Sequence, residues 1–292
     1  MTIRSDPGTE SPARAPETLL WVVVCTCWAV TVSLAVAGGH DDHDAVLGGS
    51  TWPSPARLAA FAAVWLLMVC AMMLPTVTPL TRMFEMVSAR APRPEAARAG
   101  LYAGYLAVWV CFVPLALIGD AGVHALVGAW DWLAARPELV LAATLIIAGA
   151  YQFSPLKDAC LTACRNPMGF LWQHYRRGPW AAWMLGVRHG LSCLGCCWAL
   201  MLVMFATGVG SLAWMLALTG VMVIEKTSRL GPRLVAPVGI ALIVAGAVIA
   251  VPAMAHGGND HGLAPGVVAL LVALVVTAAP LAASAVVRKM RS

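Results

Sequence analysis

The stretch "VRHGLSCLGCCWALMLVMF", Val187–Phe205, decides the fold. It lies within an apolar run over 180–207 whose one charged residue is Arg188. A helix of about 20 such residues crosses the roughly 30 Å of bilayer hydrocarbon. Barrel strands would instead show short segments of alternating hydrophobicity. Comparable runs occur at 18–38, 57–80, 99–119, 138–153, 211–225, 234–254 and 264–287, with 138–153 and 211–225 the shortest. The whole chain agrees with this reading. It is 60% hydrophobic and 11% charged, against about 25% charged in ordinary soluble domains. The expected fold is all-α: a polytopic transmembrane helix bundle of about eight spans with an amphipathic inner segment.

The net charge of +5 is explained by loop sidedness rather than by nucleic acid, because basic residues of membrane proteins gather in cytoplasmic loops. With the N-terminus inside, all of the 19 Lys and Arg residues except Arg57, Arg136 and Arg188 fall on the inner side. Asp41, Asp42, Asp44, Asp120, Asp131 and Asp260 fall outside. This predicts a multi-pass protein of the bacterial inner membrane with both termini cytoplasmic and the lipid bilayer as its constant partner. Residues 1–17, polar and carrying three prolines, make a poor signal peptide and read as a disordered cytoplasmic tail. Residues 18–292 read as a single transmembrane helical domain, since no linker divides them.

The Val187–Phe205 stretch is also the densest in donor atoms. Placed on a helical wheel with His189 at zero, Cys193 falls at about +40°, Cys196 near −20°, Cys197 near +80° and Met204 near +60°. One stripe therefore carries imidazole, thiols and a thioether, with Cys197 on its shoulder and Trp198 opposite. These donors suit soft metals, copper(I) above all, with zinc as the alternative. Gly190 and Gly195 would let a neighbouring helix come close. Arg188 needs a partner at such depth, and Glu225 is the candidate, while Lys226 would reach toward the headgroups. Cys25, Cys27, Cys70 and Cys111 read as buried packing thiols.

The inner segment from Phe153 to Pro179 reads "FSPLKDACLTACRNPMGFLWQHYRRGP" and suits an interfacial or re-entrant helix. Cys160 and Cys164 are four residues apart, on one helical face, and fit either a metal clamp or a disulfide. The cluster on the 180–207 span begins about 12 Å from that same inner face. Met72 and Met73, in "VCAMMLPTVTPL", lie near the depth of His189 and offer neutral soft ligands beside the Pro75 kink. Two outer loops, "HDDHD" at His40–Asp44 and "HGGNDH" at His256–His261, could collect divalent metal or simply be solvated.

The motifs "MMLP" at Met72–Pro75, "YQFSPLKDACLTACRNP" at Tyr151–Pro167, "HGLSCLGCCWALM" at His189–Met201 and "EK" at Glu225–Lys226 together resemble a bacterial family of uncharacterised integral membrane proteins described as predicted metal-binding. The resemblant core spans about 57–254. It implies a multi-helix membrane fold and a metal-associated role, with Met72, Met73, Cys160, Cys164, His189, Cys193, Cys196 and Cys197 as the matched positions. It implies no reaction.

The expected function is therefore soft-metal handling or transfer, with copper as the expected ion and a metal chaperone or membrane complex as the expected protein partner. No nucleic-acid partner is expected. An enzyme is not the favoured reading, although Cys193 and Cys196 form a CxxC that would serve a membrane thiol-disulfide oxidoreductase. An assembly subunit of a larger membrane complex is the third reading.

Overall fold

The computed structural model describes residues 15–36, 55–207 and 212–255. Among these the chain is all-α, with no strand. The helices are α1 (Ala15–Val36), α2 (Pro55–Ser88), α3 (Pro94–Ala129), α4 (Asp131–Ala134), α5 (Glu138–Tyr151), α6 (Pro155–Arg165), α7 (Pro167–His174), α8 (Pro179–Thr207), α9 (Leu212–Thr227) and α10 (Gly231–Ala255).

Proline opens α2, α3, α6, α7 and α8, where its missing N–H would have been unbonded in any case and its fixed φ already suits the helix. Ser154 caps α6 by accepting from Lys157 N at 3.1 Å, and Asn166 caps α7 by accepting from Gly169 N at 2.9 Å. Gly178, at φ 109°, makes the turn into α8 that an L side chain would strain.

Two prolines inside α2 show how the bundle tolerates helix breakers. Pro75 cannot donate to the Ala71 carbonyl, and Trp28 of α1 supplies the missing donor, Nε1 to O at 3.0 Å. Pro79 likewise frees the Pro75 carbonyl, which takes the Thr78 hydroxyl at 3.0 Å. The first substitution also fixes the register of α1 on α2.

Small residues set the closest helix approaches. A Cβ on Gly104 would stand 2.0 Å from the Trp183 carbonyl oxygen, and one on Gly186 would stand 2.1 Å from that of Leu101. The backbones of α3 and α8 are therefore in direct contact, as in tightly packed membrane helix pairs. Gly149 and Gly246 do the same for α5 and α10.

Among the described residues, five helices are long and apolar enough to cross a membrane: Glu17–Val36, Leu58–Ser88, Pro94–Ala129, Pro179–Met204 and Gly231–Met254. Helices α5 and α6 qualify only as a pair, and they meet at a 64° bend. The span expected at 138–153 is the first half of that bent pair, and the described part of the one expected at 211–225 is α9, with 16 residues. The span expected at 264–287 lies outside the described residues. Large apolar side chains face outward, among them Leu115, Ile118, Leu216, Val248 and Val251. The buried core lies between α2, α3, α8 and α9 and includes Trp109, Tyr105, Met72, Met73, Leu200 and Met222.

Candidate metal centre

Helix α8 turns its donor stripe inward. His189, Cys193, Cys196, Cys197 and Met204 are each no more than 3% exposed. Gly190 admits α3, whose Val108 and Tyr105 lie against it, and Gly195 admits α6, whose Cys160 Sγ would be 2.6 Å from an added Cβ. The small residues of the stripe thus let two flanking helices reach the thiols.

From α2 comes a thioether. Met73 Sδ lies 3.9 Å from Cys197 Sγ, with both residues buried. From α9 comes a cation: Lys226 Nζ is 3.1 Å from Cys193 Sγ and 3.7 Å from Met73 Sδ. From α3, Tyr105 Oη lies 3.1 Å from Cys193 Sγ. Four helices therefore converge on Cys193, Cys197 and Met73. Met72 is buried in the same core.

A second sulfur pair continues toward α6. Cys164 shares a hydrogen bond with Cys196, and Cys160 packs on Gly195. Tyr151, at the end of α5, donates its hydroxyl to the Gly195 carbonyl, tying the bend to the same turn of α8. Helix α6 thus packs against α8, and its two cysteines meet the donor stripe.

The thiols are parked on their own helix. Cys196 and Cys197 donate to the Cys193 carbonyl at 3.0 and 2.9 Å. With these rotamers no three His, Cys, Asp or Glu side chains among the described residues are disposed to hold one ion. A change of χ1 would turn either sulfur off the carbonyl. The donor set still fits a soft metal: buried thiols and a thioether from different helices, and an imidazole whose buried Nδ1 has no hydrogen-bond partner among the described residues. That ring packs between Tyr105 and Phe170, at centroid distances of 6.0 and 5.4 Å.

Several sequence expectations are corrected here. Glu225 does not pair with Arg188. Its Oε2 lies 2.7 Å from Lys157 Nζ, with both side chains buried, and Arg188 is exposed. Arg188 is one residue, about 100°, away from His189 on the wheel, so the turn that buries the stripe rotates it outward. Lys226 does not reach outward to headgroups but inward to sulfur. Cys25 and Cys111 are exposed on the bundle's outer surface rather than buried. Cys27 and Cys70, half-buried, hydrogen-bond to each other between α1 and α2. The His40–Asp44 and His256–His261 loops lie outside the described residues. Tyr105, Lys157 and Tyr151 were missed as partners of the site. The signal for Lys157 was its place beside the two cysteines in "PLKDACLTAC"; Tyr105 had none in its own segment.

No curated protein and no solved structure matches the chain. A family model does match, over residues 62–249, which includes every donor described above. The chain belongs to the family that model describes, the PpoB2 copper chaperones.

Proposed function

We propose that this protein is an integral membrane chaperone that holds copper(I) in a buried sulfur site and passes it along α8 toward α6. Met73, Cys193 and Cys197 are the holding ligands, with His189 beside them. Cys196, Cys164 and Cys160 form the onward path, each step an exchange of one sulfur donor for the next. The observation that carries this reading is the meeting of the Met73 thioether with the Cys197 thiol, 3.9 Å apart in the core between two helices. Core methionines fill gaps in many proteins, but here the thioether, three thiols and a free imidazole nitrogen are gathered in a region closed to water.

Binding deprotonates the thiols and releases their protons. Thiolate and thioether then replace the ion's hydration, which suits copper(I) better than harder ions. The long apolar helices among the described residues and the apolar outer surface support a membrane setting, and the charge pattern favours cytoplasmic termini with α6 on that side. Both cysteines of the CxxC are buried beneath neighbouring helices, which disfavours dithiol exchange with a protein substrate.

The test is copper retention. The full chain, purified in detergent under reducing conditions, is equilibrated with copper(I) against a competing chelator and assayed for bound metal. The wild type is expected to retain copper with sulfur scattering in its X-ray absorption spectrum. Changing Cys193, Cys196 and Cys197 together to Ser should abolish retention. Copper that survives this change, or never binds to wild type, would sink the proposal.

A further inference from the structure

Lys226 is a buried lysine with no carboxylate beside it among the described residues. Its side chain is 4% exposed, and among the described residues its ammonium is hydrogen-bonded only to sulfur, at Cys193 and Met73. The carboxylate that might have served it, on the preceding residue, turns away. Glu225 is taken by Lys157 at 2.7 Å, and its carbonyl accepts from Arg165 Nε at 2.6 Å. The two residues at the inner end of α9 thus send one charge to α6 and the other into the donor cluster.

A full charge in a dry interior is costly unless its surroundings compensate it. The charge of the loaded site follows from its ligands. Cys193 and Cys197 bind a soft ion as thiolates and contribute two negative charges. Met73 contributes none. Lys226 cancels one, so protein groups leave the site with a single negative charge. A monovalent ion brings this to neutrality. A divalent ion leaves one positive charge buried with no anion to balance it. Zinc(II) and copper(I) both bind thiolates well, so the two cysteines alone discriminate them poorly, and the ammonium adds a discrimination by charge to the preference of the thioether.

We infer that Lys226 is the specificity-determining residue of the sulfur site: its fixed positive charge matches the site to a monovalent soft cation, copper(I), and against zinc(II). The inference rests on the reading that Cys193, Cys197 and Met73 are the metal ligands. Lys226 itself need not bind the metal. Its ammonium has only to remain beside the thiolates, where the fold already holds it.

The experiment measures selectivity rather than activity. Full-length protein in detergent is titrated with copper(I) and, separately, with zinc(II), each against a chelator of known affinity. Wild type and Lys226→Arg, which keeps the charge, should both favour copper(I). Lys226→Met, which keeps the length and apolar stem, should lower the copper-to-zinc affinity ratio at least about tenfold, mainly by gaining zinc. Lys226→Gln is the second neutral variant, should the methionine chain not yield monodisperse protein. A ratio unmoved within about twofold in a folded neutral variant overturns the inference while leaving the copper site standing. Zinc bound by wild type as tightly as copper(I) overturns it without any variant. Wild type that takes up neither metal overturns the site itself, and the inference with it.

Discussion

Two lysines are buried among the described residues, and they are held in opposite ways. Lys157, 1% exposed, meets the Glu225 carboxylate at 2.7 Å. Lys226, 4% exposed, meets a thiol and a thioether, at 3.1 and 3.7 Å, and no carboxylate among the described residues. A carboxylate compensates an ammonium permanently. A neutral thiol compensates it weakly, and does so fully only on becoming a thiolate, which is what a bound metal ion makes of it. The α6 side of α9 is therefore a structural tie, complete as it stands. The α2 and α8 side, on the proposed reading, is a charge arrangement that a bound ion would complete. Adjacent residues of one helix, about 100° apart, serve these two ends, so the tie also sets the rotation of α9 that aims Lys226 at the cysteines.

The largest effect should come from breaking the complete pair. Lys157→Met leaves Glu225 charged, buried and without its counter-ion, a change that typically costs about 3–5 kcal/mol. Unfolding of the detergent-solubilised protein, followed by helical circular dichroism against added denaturant, should show a loss of this order. Adding Glu225→Gln to the same chain should recover part of it, since the orphaned charge is then gone. A loss below about 1 kcal/mol would mean that water reaches the pair, and the contrast between the two lysines would collapse.

That contrast explains what the sequence disclosed and what it withheld. Length and apolarity along the chain were enough to see an all-α bundle, and the wheel was enough to put His189, Cys193 and Cys196 on one buried stripe of α8. These are properties of single helices. The partner of Glu225 is not, because the charge pattern of the sequence puts both Arg188 and Lys157 within reach and either could neutralise it. The rotation of α8 that buries Cys193 decides the matter by sending Arg188 outward. Lys226 was misread for a related reason. A long basic side chain at a helix end usually snorkels, and only the thiols of another helix, unseen from its own segment, turn it inward. Crossing number turns on tertiary bends that hydropathy along the chain does not carry, such as the 64° break before α6.

A smaller effect tests the ligand side of the comparison. Met73→Leu keeps apolar volume, so stability should change by less than about 1.5 kcal/mol. It deletes the one neutral sulfur shared by Cys197 and Lys226. Copper(I) affinity should fall about 100-fold, the upper part of the range seen when groups supporting a metal site are removed, and the chelator titration reads it directly. Unchanged affinity would reduce Met73 to a packing residue and leave the thiols to hold the ion unaided.

The smallest expected effect concerns Tyr105, whose hydroxyl and Lys226 both sit 3.1 Å from the Cys193 sulfur. In the loaded site that sulfur is a thiolate, so the hydroxyl donates to it and shares the charge compensation with the ammonium. Tyr105→Phe removes the donor and leaves the ring on His189 and Trp109 in place. One hydrogen bond is worth about 1 kcal/mol, so copper(I) affinity should fall only about fivefold, with stoichiometry and fold unchanged. Because the hydroxyl carries no net charge, the copper-to-zinc ratio should stay near its wild-type value, unlike that of Lys226→Met. If Tyr105→Phe moved the ratio as far as Lys226→Met does, selectivity would arise from hydrogen bonding at Cys193 rather than from charge, and the two lysines would differ in geometry alone.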